Sequence, residues 1–428
     1  MAAARSRRPK LALALAGGAP EGAIWEIGAL RALEEAVDGL DLNELDLYVG
    51  LSAGAFLAAN LANGLTTAQM CRAIVKHEPG EHPFVPKTFF TPAVRELARR
   101  GARVPRLVWE ALADVLRDPS DLRLSESLTR LSRALPVGVF ANEPIRRYLE
   151  RIYALPGRTD DFRRLRRPLV VVAADLDSGQ AVRFGEPGMD RVPISVAVQA
   201  SSALPGLYPP VEIDGRYYVD GVLLKTLHAS VALDAGADLV LCFNPLVPVD
   251  TAEAVARGVM TRGKLVDRGL PAVLAQTFRT LIRSRLAAGM GSYEGRYDGA
   301  DLLLFEPRRD DYRMFFTNIF SFSSRRAVCE HAYETTRADL LSRYETLAPA
   351  FAKRGLALSR SVLEEPRELW TSVGLSEDRR RPHASRPGSP LAELETTLDR
   401  LDAWLGKKEG QDHFSGEAGV ASRAQLEK

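Results

Sequence analysis

The stretch Val49-Gly50-Leu51-Ser52-Ala53-Gly54-Ala55 constrains this chain more than any other part of it. The apolar run 45–49 leads into it, and the helix-compatible run 53–61 leads out. Read as strand, tight turn and helix, it places the Ser52 hydroxyl at the head of a helix on a strained backbone. Gly50 and Gly54 keep side chains out of that crossing. The five-residue pattern alone also arises by chance in loops of a chain rich in Gly, Ala and Ser. The strand–turn–helix context is what makes Ser52 a candidate nucleophile.

Around this turn, strand-like and helix-like runs alternate, which predicts an α/β fold with a mostly parallel sheet. Strands are expected at 10–16, 45–49, 169–174, 180–184, 216–219, 239–243 and, as the last, 302–305. The run 169–174 is almost purely apolar, as a central buried strand requires. Ile24, Ile27, Leu30 and Leu33 mark a helix over 22–37, and a long helix is expected over 324–344. Two regions break the alternation. Residues 77–135 carry Arg95, Arg99, Arg100, Arg103 and Arg106 beside an apolar face with Leu107, Trp109 and Leu112, interrupted at Gly101 and Pro105. They read as a helical insertion, either a cap packed on the core with a solvated Arg face or a lid facing anionic lipid. After 350 comes a C-terminal extension. Its segment 377–390 is rich in charge, Pro and Ser, and Leu391, Leu394, Leu398, Leu401 and Leu405 then suggest a short leucine-repeat helix that docks on the domain or pairs with a second subunit. The expected organisation is a basic extension 1–9, one domain over 10–350 and the extension 351–428.

The chain's 428 residues, 46% hydrophobic, are ample for one large core. A net charge of +2 gives no global reason to expect nucleic acid. Cys71, Cys242 and Cys329 are scattered, with neither metal spacing nor a disulfide framework, which fits a reducing compartment. The basic start followed by the apolar run 11–16 has the flavour of a secretory signal. That run is shorter than the usual signal core and a glycine turn follows at once, so it reads as the first strand. No stretch approaches a membrane span. The expectation is a cytoplasmic protein, with peripheral contact to a membrane allowed.

A serine nucleophile needs a proton acceptor, donors for an oxyanion and an apolar place for substrate. The donors are expected from Gly17 to Ala19, or from Glu21 and Gly22, in the turn Gly17-Gly18-Ala19-Pro20-Glu21-Gly22, where a strand ends and a helix begins, with the Ala53 N–H as partner. Pro20 has no N–H, and the turn lacks the glycine spacing of a dinucleotide loop. Of six histidines, His228 and His331 follow the serine in chain order, but neither has a local signature. Asp220, in Tyr218-Val219-Asp220-Gly221, ends an apolar strand where open α/β sheets place their sites. It reads equally as a turn aspartate before glycine.

Three blocks together resemble the patatin-like phospholipase family. They are the turn with Gly17, Gly18 and Gly22; Gly50-Leu51-Ser52-Ala53-Gly54-Ala55; and Ala200-Ser201-Ser202-Ala203-Leu204-Pro205-Gly206 with Pro209-Pro210, Asp214-Gly215 and Asp220-Gly221. The resemblance covers about 10–244, with a weaker continuation to about 347. It implies a patatin-like three-layer sandwich and a lipid acyl hydrolase with no metal and no cofactor. It implies a Ser–Asp dyad of Ser52 as nucleophile and Asp220 as base, an oxyanion hole from Gly17, Gly18, Ala19 and Ala53, and supporting roles for Gly22, Gly50, Gly54 and Gly221. Ser201 and Ser202 become structural. The sequence departs from the family's pattern at Ala19, where a glycine is usual, at Glu21, where a basic residue is usual, and at Val222. Rival readings are acyl transfer or thioester hydrolysis on the same dyad, a histidine triad through His228, and a lipid-binding scaffold that has lost turnover.

Overall fold

The structure is a computed structural model; it describes residues 8–75, 90–93, 137–256, 265–293, 296–297, 299–311 and 322–375. The Arg-rich part of the insertion and the leucine-repeat helix at 391–405 lie outside the described residues.

In chain order the elements are β1 (Leu11–Leu15), α1 (Ala19–Ala36), β2 (Val37–Asp38), β3 (Leu47–Leu51), α2 (Ala53–Ala62), α3 (Thr67–Val75), α4 (Glu143–Tyr153), β4 (Leu169–Asp175), β5 (Ala181–Phe184), α5 (Ile194–Ser201), β6 (Val211–Ile213), β7 (Arg216–Asp220), α6 (Ala229–Asp234), β8 (Leu239–Phe243), α7 (Thr251–Ala256), α8 (Leu270–Tyr293), β9 (Asp301–Phe305), α9 (Phe322–Ser342), α10 (Tyr344–Ala352) and β10 (Ala357–Leu358). Strands β4, β3, β1, β8 and β9 run parallel to their neighbours, whereas β5, β6 and β7 are antiparallel additions.

The period-two alternation of these strands builds two cores, one on each face of the sheet. Leu13, Leu15, Val171, Ala173, Leu241 and Phe243 face a core with α1, α2, α5 and α9. Their alternate neighbours Ala12, Ala14, Val170, Val172, Val240 and Cys242 face a second core with α6 and α8. This is the expected α/β sandwich of helix, sheet and helix. Central strands buried on both faces must be apolar throughout, which is why 169–174 was legible as a strand. The chain stays packed beyond residue 350, the boundary expected from the sequence. β10 pairs antiparallel with β2, and Leu369 and Trp370 are fully buried. The domain therefore holds its C-terminal residues through Leu375, because those apolar side chains complete the core around α1 and α9. The scattered cysteines are all buried, and the Cys329 thiol hydrogen-bonds Cys71 across α9 and α3. Among the described residues, no helix is long and apolar enough to cross a membrane.

One detail of register positions the site. Val172 of β4 pairs with Leu51 of β3 and with Arg183 of β5, so those two strands occupy opposite edges of β4. The next residue, Ala173, pairs with Val182 of β5 and Asp220 of β7. A strand has only two edges, so β7 takes over the edge that β3 has just left. The last residue of β3 and the last residue of β7 thus address consecutive residues of one strand.

Candidate active site

Ser52 follows Leu51 directly, at φ 53° and ψ −123°. A side chain rarely adopts a left-handed φ, and such strain persists only where the surroundings fix it. Here the fixing is visible. The Ser52 N–H donates to the Ser201 hydroxyl at 2.8 Å, and that hydroxyl donates to the Val172 carbonyl at 2.6 Å. The Ser52 carbonyl accepts from the Ala55 and Phe56 amides and so opens α2. Ser201 is fully buried, so its hydroxyl ties the end of β3 to β4. At Gly54 even a methyl group would meet the Ala16 carbonyl oxygen at 2.3 Å. That is the close crossing of the first turn of α2 with the end of β1 that the glycine spacing requires.

β1 and β3 are neighbours in register, Leu15 opposite Gly50, so their carboxyl ends release the two turns side by side. A methyl group on Gly17 would lie 3.0 Å from the Ser52 Cβ. Gly17, Gly18, Ala19 and Ala53 all line one cavity with Ser52. Gly22 does not line it; its N–H donates to the Gly18 carbonyl at 2.8 Å and closes the first turn of α1. Ala19 stands at φ 53°, a conformation that glycine adopts without cost. The departure from glycine at this position therefore leaves the backbone in the left-handed turn with an added Cβ.

Asp220 is 2% exposed and Ser52 is 8% exposed. The Asp220 carboxyl accepts from the Val222 amide at 2.9 Å and lies close enough to the Ser52 side chain to feel it electrostatically. Burial pushes this carboxyl up to about 7, against the Val222 amide and the Ser52 side chain, which lower it. Its own amide donates to the Ala203 carbonyl at 3.0 Å, which holds the end of β7 against the segment after α5. A methyl group at Gly221 would meet the Leu51 side chain at 2.7 Å. The turn after the aspartate is thus packed on the strand that carries the serine.

The cavity is about 560 Å³. Its walls are mostly apolar, with Phe56, Ile145, Leu204, Leu207 and Tyr208 on one part and Leu246, Leu274, Phe278 and Leu281 on another. Among the described residues, the charged ones that line it are Glu21, Asp220 and Arg279. Burial raises Glu21, opposed by its own backbone N–H and by Arg279; burial likewise lowers Arg279, opposed by Glu21. Arg279 and the wall from α8 are the parts that sequence reasoning missed. Leu270, Leu274, Phe278 and Leu281 recur at spacings of three and four, and that period was the available signal.

The described histidines, His228 and His331, are placed elsewhere. His228 is buried beside the Gly221 backbone, and it does not line the cavity. Burial, with Lys225 and Arg183 nearby, pulls its imidazole down to about 4. His331 pairs with Asp311 at 2.8 Å. Among the described residues, no three His, Cys, Asp or Glu side chains converge as a metal site would need.

This geometry can be set beside known proteins. The family model described as patatin-like phospholipase matches residues 13–233. An uncharacterised NTE family protein of Mycobacterium tuberculosis and one of Mycobacterium bovis are each 38% identical over 77 residues, 18% of this chain. The match spans about a fifth of the length of these curated relatives, 20% in each. Among solved structures, VipD from Legionella pneumophila is similar at 16% identity and TM-score 0.33, over 78% of this chain and 67% of that one. The type III effector protein ExoU is similar at 15% identity and TM-score 0.27, over 81% of this chain and 59% of that one.

Proposed function

Because the chain belongs to the patatin-like phospholipase family, we propose that it hydrolyses carboxylic esters of lipids through Ser52 and Asp220. The observation that carries this reading is that Ser52, on its strained turn, and the buried Asp220 carboxyl line one apolar cavity, at the ends of β3 and β7 that address consecutive residues of β4. A general base is most effective when its pKa lies near the working pH. An ordinary aspartate is too weak a base for a serine hydroxyl, and burial corrects that.

In the proposed reaction the ester carbonyl lies against Ser52 with its oxygen toward the N–H groups of Gly17, Gly18, Ala19 and Ala53. Ser52 Oγ attacks the carbonyl carbon as Asp220 takes the hydroxyl proton. The tetrahedral oxyanion is held by those amides, at the N-terminal ends of α1 and α2, where the helix dipoles favour negative charge. Collapse breaks the bond to the alcohol, which leaves with the proton from Asp220, and an acyl-Ser52 ester remains. A water then attacks that ester, Asp220 takes its proton, and the fatty acid departs as Ser52 Oγ recovers it. The apolar walls suit an acyl chain.

The test is fatty-acid release from phospholipid and lysophospholipid micelles by wild type, Ser52→Ala and Asp220→Asn. The proposal expects each substitution to remove at least about a thousandfold of the activity while the protein stays folded. Near-wild-type turnover by either variant would overturn it.

A further inference from the structure

The cavity's charge pattern is unusual for so apolar a space. Asp220 is committed to Ser52, so among the described lining residues the other charges are Glu21 and Arg279. They come from different elements. Glu21 stands in the first turn of α1, two residues after Ala19, and Arg279 stands midway along α8. Both are half-buried in the cavity wall, and each acts electrostatically on the other. Arg279 is the cation among the described lining residues. On its own it would attract a phosphate diester or an acidic head group, since a guanidinium matches phosphate oxygens in charge and geometry. With Glu21 present that attraction is cancelled, and an anionic group approaching the glycine turn meets a carboxylate.

We infer that Glu21 and Arg279 form a charge-neutral pair that selects esters with a net-neutral head group, zwitterionic or uncharged, over anionic lipids. This rests on the hydrolase reading above and adds a substrate class to it. Two facts favour a selective role over a purely structural pair. Both residues line the cavity that holds Ser52, and opposite charges kept half-buried in one wall gain little stability over apolar residues of similar volume. Glu21 also acts electrostatically on Tyr208, another lining residue.

The experiment uses the full chain at about pH 8, where carboxylates are ionised, with phosphatidylglycerol and phosphatidylcholine of identical acyl chains in the same mixed micelles. The readout is the ratio of kcat/KM for the anionic lipid to that for the zwitterionic lipid. In Glu21→Gln the ratio should rise about tenfold, the scale of one charge-assisted contact set free. In Arg279→Gln it should fall. The double variant should return to within about twofold of wild type, since neutral substitution of both partners restores a neutral wall. Thermal unfolding checks that each variant is folded, and the opposite directions of the two single variants exclude a general loss of packing. An unchanged ratio in Glu21→Gln, or movement of both single variants in one direction, would overturn the inference. Activity that survives Ser52→Ala would instead overturn the hydrolase reading, whatever the ratio does.

Discussion

Asp220→Asn should make this protein more stable as it makes it inactive. In the folded chain, burial holds the Asp220 carboxyl at about 7, against an ordinary value of 3.8. Each tenfold change in proton affinity is worth about 1.4 kcal/mol, so keeping this group ionised in the fold costs up to ~4 kcal/mol. The sign follows from linkage. Between 3.8 and about 7, the folded state holds a proton that the unfolded chain has released, so this group's contribution to stability falls as pH rises through that window. Above it the full cost is felt. Asparagine keeps an acceptor for the Val222 amide, adds a donor for Ser52 and carries no charge to desolvate. At about pH 8 we expect the variant to be stabilised by ~2–4 kcal/mol, with the gain shrinking toward zero at about pH 4. Urea unfolding of both proteins across that range measures it. A variant less stable than wild type at high pH, or a difference that ignores pH, would refute the argument that the site stores the cost of a buried carboxylate.

Further outcomes follow from the same geometry. Ser201→Ala leaves the Ser52 amide and the Val172 carbonyl without the hydroxyl that joins them; it should cost ~2–4 kcal/mol in urea unfolding and lower kcat as the turn loosens. Ala19→Gly removes a Cβ from a left-handed backbone and should raise stability by about 0.5–1 kcal/mol in the same measurement without loss of activity. His228→Gln should keep ester hydrolysis within about twofold of wild type, because its ring lies outside the cavity. It should also flatten the acid limb of stability. The folded imidazole sits near 4 against an ordinary 6.5, so wild type loses stability as pH falls through that interval, and glutamine has no proton to gain.

Much of the fold was legible because the sheet is buried on both faces. Runs such as Leu169-Val170-Val171-Val172 and Leu239-Val240-Leu241 have no amphipathic ambiguity and fall within a residue or so of the observed strands. The strand before Ser52 begins at Leu47, two residues later than the apolar run suggests. Leu45 is buried in the preceding turn, where its amide donates to the Tyr48 hydroxyl. The serine and its neighbouring glycines were legible because a tight strand-to-helix turn admits few residues. The approach of Asp220 to Ser52 was legible only through the resemblance of the three blocks, not from the residues around it. It depends on β7 joining the edge of β4 at Ala173, one residue beyond β3, and no local pattern encodes that register. The wall from α8 escaped notice because its apolar residues are diluted by Arg, Thr and Ala. The final packed residues through Leu375 escaped because a two-residue strand and helices of five and four residues carry no periodic signal.

The most direct test of the central claim is covalent. A fluorophosphonate probe should add one adduct per chain, mapped by peptide mass spectrometry to Ser52. Labelling should follow the ionisation of Asp220 and rise with pH to a plateau above about 7. Ser52→Ala should take up no probe. An adduct on another serine, or labelling that persists at full rate in Asp220→Asn, would contradict the account.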